Sequence, residues 1–313
     1  TTFIKDRMEG REKSLKVESN KFNAAFMDGI DWNRIITIAG LSGSGKSTLT
    51  RQWIREIIEL NEDQDFDILS FQFEMLGIDE LAKDISAKTN MSIKEIYSAG
   101  NKLPSSALLT IQDYLDSMKN FPLYVVDHVG TVSNIKDTIL YYCSENRLAE
   151  KQRSLVITID HSLLIKAEDG EDEKTTIDRL YHTLIALKKY LAGIGIKVIF
   201  IVLSQLNRNI ETPERITNSK LHYPNKNDLF GASSAYYSSD YVIIIHRPAQ
   251  IDGLGNWYGP PRGGEPGLPV FNPENPKQPM IYAHIIKERF GSNGIIPMID
   301  ELEHARIREY SKA

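Results

Sequence analysis

The chain has 313 residues, 41% hydrophobic and 25% charged, an ordinary globular profile long enough for one large domain or two small ones. Its single cysteine, Cys143, excludes an intrachain disulfide and points to a reducing compartment, and no apolar run approaches the roughly 18 residues of a membrane-spanning helix. A net charge of −5 argues against a protein that coats nucleic acid with its whole surface, but not against a local basic patch such as a channel lining.

Residues 1–20 are charged, carry a short helical pattern and read as neither signal peptide nor anchor; they are expected to form an extension or linker. The start at Thr points to a cut or processed chain. "IITIA" (35–39) is a short buried-type strand. A Gly/Ser loop follows, then "STLTRQWIREIIEL" (47–60), where Leu49, Trp53, Ile57 and Leu60 recur at helical spacing. "FDILSFQFEM" (66–75) predicts a strand, and 77–89 and 106–119 predict helices. "PLYVVD" (122–127) is a strand, 134–151 a helix, and "SLVITID" (154–160) the most strand-like run of this half. An acidic loop (168–173) leads to a helix over 175–195, then strands at 197–205 and 240–247. The Pro/Gly-rich stretch 247–279 is expected to be a long irregular loop. Residues 279–291 and 294–300 predict a final hairpin. Near-continuous Val/Ile/Leu strands alternating with helices predict an α/β fold with a mainly parallel sheet covered on both faces.

"GLSGSGKS" (40–47) fits G-x-x-x-x-G-K-[ST] in the required context, after a strand and before a helix. Its glycines let the backbone wrap closely round phosphates, and the N–H groups at the helix start point inward. Gly40, Ser42, Gly43, Ser44, Gly45, Lys46, Ser47 and Thr48 form the expected ATP cradle. Lys46 is placed to reach the β- and γ-phosphates and the Ser47 hydroxyl to hold Mg²⁺. Asp160, ending an apolar strand, fits the acid that completes the Mg²⁺ site. Glu74, at the end of another strand, can deprotonate the attacking water; Asp160 is followed by His161 and not by a second acid, so the base must come from elsewhere. Gln205, ending "VIFIVLSQ", can touch the γ-phosphate and report its loss to the following loop.

These pieces, in this order, resemble the RecA-like ATPases, most closely the C-terminal motor domain of DnaB-type hexameric replicative helicases and the related phage helicase–primase motors. The match is carried by "GLSGSGKSTLTRQ" (40–52), "SFQFEM" (70–75), "LVITIDHSLLI" (155–165), "VLSQLNR" (202–208), "DLFGASSAYYSSDYVIIIHR" (228–247) and "IIKERFGSNG" (285–294). The resemblance implies one RecA-like motor domain over 21–313, a P-loop ATPase with a C-terminal β-hairpin. It implies Glu74 as catalytic base, Asp160 as the Walker-B acid and Gln205 as the γ-phosphate sensor. It implies that Arg247 packs on the nucleotide base, and that Lys287 and Arg289 reach the neighbouring subunit's ATP as an arginine-finger pair. Loops 166–176 and 206–234 would face a central channel holding single-stranded DNA. The expected assembly is a homo-oligomer, a hexamer by analogy, with a primase or helicase loader as further partner. It would work in the cytoplasm of a bacterium or a phage-infected host, away from membranes. The chain departs from the family pattern at Phe230, where arginine is usual, at "HSLL" (161–164), and in the acidity of the first channel loop.

Residues 206–227 hold Arg208, Arg215, Lys220 and Lys226, with Asn209 among them, as candidate DNA contacts. Tyr236 and Tyr237 read as core. No His/Cys/Asp cluster has zinc spacing, and Cys143 sits in a helical pattern that favours burial. Two alternatives stay open on the residues alone: another RecA-like ATPase, such as a recombinase or packaging motor, or a non-motor module whose nucleotide switches assembly.

Overall fold

The near-continuous apolar runs become strands buried on both faces. The structure, a computed structural model, describes residues 2–73, 77–98, 100, 102–128, 130–289 and 293–311. The strands are β1 (Arg34–Gly40), β2 (Phe66–Gln72), β3 (Leu123–Val126), β4 (Ser154–Asp160), β5 (Val198–Gln205), β6 (Tyr241–His246), the two-residue β7 (Trp257–Tyr258), β8 (Leu268–Pro269) and β9 (Phe271–Asn272), then β10 (Asn275–Glu288), β11 (Gly294–Glu301) and β12 (Arg306–Glu309). The helices are α1 (Thr2–Met8), α2 (Asn20–Ala25), α3 (Lys46–Leu60), α4 (Gly77–Thr89), α5 (Ile93–Tyr97), α6 (Ser105–Met118), α7 (Val132–Glu145), α8 (Glu173–Gly193), α9 (Pro213–Thr217) and α10 (Ala232–Ser238).

The main sheet runs β12-β11-β10-β6-β1-β5-β4-β2-β3, with β9 on β10. From β6 to β3 every pairing is parallel; β10, β11 and β12 add antiparallel strands beyond β6. Trp53 and Ile57 of α3 pack on one face with Phe22 and Phe26. Leu180, Leu184 and Leu187 of α8 and Ile135 and Ile139 of α7 cover the other. Sealed on both faces, the sheet leaves ligands only the crevice outside its strand ends. Register places the expected chemistry there: Gly40 pairs with Gln205, and Gln72 with Asp160, so the C-terminal ends of β1, β5, β4 and β2 lie in one row.

The structure differs from expectation in three places. Leu15 and Val17, inside the expected extension 1–20, belong to the core: Leu15 exchanges two backbone hydrogen bonds with Ile30, and both side chains are buried with α3. Two alternating apolar residues make too short a run to predict a strand, so only tertiary contact reveals them. Leu60, assigned to the apolar stripe of α3, is half exposed because the helix ends there. The 247–279 stretch is not wholly irregular; it contains β7–β9 and the start of β10, whose Pro279 still pairs with Phe271.

Candidate functional site

The P-loop is shaped by glycines that cannot be replaced. A Cβ on Gly40 would lie 2.4 Å from Ser44 Oγ and 2.6 Å from the Ile245 carbonyl oxygen. Gly45 sits at φ +99°, in the left-handed region, and is the N-cap of α3 with no side-chain cap. The first-turn N–H groups of α3 therefore remain for a ligand. They border a cavity of about 220 Å³ lined by Ser42, Gly43, Lys46, Ser47, Thr48 and Gln205, among others. Lys46 is buried, its Nζ donating to the Gly40 and Leu41 carbonyls at 3.0 Å each. The expected cradle residues Gly40, Ser42, Gly43, Ser44, Gly45, Lys46, Ser47 and Thr48 are thus one continuous structure. The Ser44 hydroxyl is buried beneath it.

Asp160 ends β4 and accepts the Phe73 N–H on its carbonyl at 2.7 Å, so the chain leaving β2 runs alongside it. Glu74, the expected base, lies outside the described residues. The Ser47 hydroxyl at the start of α3 and the Asp160 carboxylate are hard oxygen donors of the kind Mg²⁺ takes. Among the described residues no group of three His, Cys, Asp or Glu side chains could hold a metal. Such a donor set suits an ion held mainly by phosphate oxygens and water.

Two residues of the cavity escaped the sequence reading, Lys83 and His161. Lys83 comes from α4, where its ammonium also lies 3.0 Å from Glu80. That helix is fixed to α3 by Asp84, which is fully buried and accepts from Arg51 Nε at 3.0 Å and from Arg55 Nη1. Burial and the nearby Lys46 charge push the His161 imidazole down to about 4, so it stays neutral at physiological pH. The Asp160–His161 peptide is cis. The spacing of Lys83 on a helix after β2 could have nominated it; nothing local nominates His161.

Gln205 is tied to the loop that follows it. Its carbonyl accepts the Phe230 N–H at 3.0 Å, Leu206 bridges Leu229, and Asn207 N donates to the Asp228 carbonyl at 2.7 Å. Both ends of the 206–229 loop therefore meet at Gln205. On that loop Arg208, Asn209, Lys220 and Lys226 are exposed. Arg215 is turned inward: its Nη1 and Nη2 reach Asp228 at 2.5 and 3.1 Å, and its Nε and Nη2 donate to the Leu221 and Tyr223 carbonyls. Four acceptor atoms, two of them on a buried carboxylate, make it the clasp of the loop instead of a free cation. Phe230 and Tyr236 are half-buried against the core, while Tyr237 is exposed, against the reading of both tyrosines as core. In the first loop, Glu168 and Glu171 both pair with Arg179, which offsets part of its acidity.

Arg247 leaves β6 and pairs through Nε with Asp300 at 2.5 Å. Lys287 donates to the Tyr236 and Tyr237 carbonyls at 2.6 and 3.0 Å, at the C-terminal end of α10, where a cation is favoured. Arg289 Nε lies 3.2 Å from Asp240 Oδ1. Its backbone N–H donates to the Asp240 carbonyl, and the Asp240 N–H to that of Ile35. Arg289 is therefore at the N-terminal ends of the parallel strands, and the P-loop is at their C-terminal ends.

A larger concavity, about 940 Å³, lies between Trp53, Gln278 and Arg308 and contains none of the P-loop residues. Volume is the poorer guide here, because phosphate is gripped by backbone at a surface loop. Among the described residues no helix is long and apolar enough to cross a membrane.

Residues 15–309 match the family model described as DnaB-like helicase C terminal domain. The fold is similar to the solved ATPase domain of G40P, at 15% identity and a TM-score of 0.74, covering 99% of this chain and 97% of that one. It is also similar to a DnaB-like replicative helicase whose structure was described with its interactions with primase, at 15% identity and a TM-score of 0.73, covering 99% and 67%. No curated protein sequence matches the chain. With a family match over nearly its whole length and a P-loop in the register that family requires, the chain belongs to the DnaB-like helicase C-terminal domains, the ATP-hydrolysing motors of ring-forming DNA helicases.

Proposed function

We propose that this motor forms a hexameric ring, binds ATP between subunits and draws single-stranded DNA through its centre to unwind duplex during replication. In each site Lys46 and the first-turn N–H groups of α3 hold the phosphates, and Glu74 takes the proton of the attacking water as the terminal phosphate leaves ADP. Ser47 and Asp160 would hold Mg²⁺, whose contribution is to neutralise phosphate charge. Arg247 would line the base side. Lys287 and Arg289 of one subunit would meet the phosphate of the next. Gln205 reads the γ-phosphate, and its loop carries the result to Arg208, Asn209, Lys220 and Lys226 on the strand, with Arg215 keeping the loop folded.

The observation that carries this reading is the position of Arg289 at the opposite end of the sheet from its own P-loop, which fits a site completed by a second copy. A primase or loader is the expected further partner, since the similar solved helicase is described interacting with primase. The test is ATP turnover with and without single-stranded DNA, together with unwinding of a duplex bearing a free tail. Stimulation by the strand and tail-dependent unwinding are expected. Turnover indifferent to DNA would favour a module whose nucleotide only switches assembly.

A further inference from the structure

Among the cavities that ATP turnover does not use, one is lined by aromatic and cationic side chains. It measures about 440 Å³ and opens between the 206–229 loop, α10, the 247–274 connection and the start of β11 at Asn293 and Gly294. That volume lies within the usual range of small-ligand sites. Tyr223, Lys226, Tyr236, Arg262 and His284 line it, and none of the described residues around it is Asp or Glu. Tyr223 carries one cation and Tyr236 two, the nearer being Lys287, whose Nζ lies 5.2 Å from the ring centre. Lys226 Nζ lies 5.9 Å from the Tyr236 ring centre, and Arg262 Cζ 5.9 Å from that of Tyr223. Lys226 and Arg262 are both exposed and so can turn outward to an anion.

The floor is His284, 1% exposed, with the Tyr223 ring standing edge-on to it at 4.9 Å. His284 Nε2 meets Tyr258 OH at 2.8 Å, and its Nδ1 is buried without a hydrogen-bond partner in the structure. The cavity is anchored, too: a Cβ on Gly259 would meet the Tyr223 ring at 2.8 Å, and Gly259 N donates to the Ser219 carbonyl. The Pro/Gly-rich connection is thus packed against the loop proposed to hold DNA.

Aromatic rings, two exposed cations and, among the described residues, no acid in one concavity are the complement of a nucleotide: a flat π surface with hydrogen-bonding edges joined to a phosphate. We propose that this cavity takes one nucleotide of the single strand, its base against Tyr223 and Tyr236 and its phosphate between Lys226 and Arg262. The inference rests on the reading that the loop carries single-stranded DNA. It adds to phosphate tracking a grip on one base per subunit, which would let the loop hold the strand while it moves.

The test compares a dye-labelled oligo-dT with an abasic strand of the same length by fluorescence anisotropy, using the full chain with a non-hydrolysable ATP analogue. The wild type should bind oligo-dT more tightly. The double variant Tyr223→Leu, Tyr236→Leu should lose about 5- to 150-fold toward oligo-dT, the range for removing one base–aromatic contact, and much less toward the abasic strand. Equal losses on both strands would overturn the proposal. So would a wild type that binds both strands alike, although strand binding itself would then stand. A wild type that binds neither strand would sink the DNA reading and the cavity proposal with it. In a second arm that needs no mutation, oligonucleotides carrying 4-thiothymidine are photocrosslinked to the wild type; adducts at Tyr223, Tyr236 or Arg262 are expected, and adducts confined to other surfaces would refute the site. A third arm offers free dTMP: Tyr223-dependent binding that displaces no oligo-dT would assign the cavity to a mononucleotide and overturn its assignment to the strand.

Discussion

Replacing Arg289 by alanine separates a role in catalysis from a role in the fold. Arg289 is hydrogen-bonded through its backbone to Asp240, which is bonded in turn to Ile35. From Ile35 to Gly40 the strand rises about 17 Å at ~3.3 Å per residue, too far for an arginine side chain to reach its own P-loop. The pairing of Arg289 with Asp240 is 48% exposed on the arginine side. Asp240 also keeps Lys188 Nζ at 2.8 Å and the Ile35 N–H at 2.9 Å. Losing the guanidinium should therefore cost less than about 1 kcal/mol of stability. An arginine finger acting on a neighbour's phosphate is worth ~10³–10⁵ in turnover. The expected result is an ATPase-dead protein that unfolds almost where the wild type does. Co-expression with Lys46→Ala should restore turnover, because the P-loop-dead subunit donates its Arg289 to the intact site of its neighbour. A variant retaining turnover within a few-fold of wild type, or a mixed assembly with no recovery, would refute the placement of this residue in trans.

Three further outcomes follow from contacts around the site. Gly40→Ala would press a Cβ against Ser44 and the Ile245 backbone, so calorimetry should find ATP binding lost and denaturant unfolding a stability loss of about 1–3 kcal/mol. Asp84→Ala leaves the Arg51 and Arg55 guanidiniums buried together, and should cost about 3–5 kcal/mol; a loss under ~1 kcal/mol would mean that Glu80, 3.8 Å from Arg51, takes over. Stability should also fall on mild acidification. Burial holds His222 down at about 4, His284 at about 3 and His246 well below its ordinary value, so below pH ~6.5 the unfolded chain takes up protons that the folded one refuses. The stabilisation is complete above that pH and declines by up to about 1.4 kcal/mol per unit per histidine as pH falls toward the folded values. Urea midpoints that agree at pH 7.5 and 5.5 would contradict this.

Much of the site was visible before folding because its chemistry is local. A P-loop needs glycines at fixed spacing, and its strand–helix context is written in the apolar pattern around it. Strand ends marked Asp160 and Gln205, since an apolar run that stops at a polar residue shows where the sheet meets solvent. Lys83 and His161 were missed because they reach the cavity from a helix and a turn whose placement depends on buried pairings such as Asp84 with Arg51 and Arg55. Arg215 was grouped with the DNA-facing cations because sequence counts charges without showing that Asp228, also on the loop, lies within 2.5 Å of it. Leu15 and Val17 read as linker for a related reason: two apolar residues make too short a run to mark a strand, and only the fold shows Leu15 exchanging backbone hydrogen bonds with Ile30.

The order of the strands along the chain, the apolar surface that forces them into a covered parallel sheet and the loop that grips phosphate can all be read from residues close together in the chain. Each depends on neighbours a few residues apart, where backbone geometry and burial dictate residue type directly. Which of the late cations can reach the chain's own nucleotide depends instead on how remote strands pair. "KER" (287–289) was two unexplained charges on a strand; antiparallel pairing of β10 with β6 carries Arg289 to the far end of the sheet from Lys46. The same folding brings Tyr223, Tyr236 and Arg262, scattered over some forty residues, around one cavity. Distances between residues remote in sequence are set by sheet order and register, which depend on contacts across the whole fold and are written in no single segment of the chain.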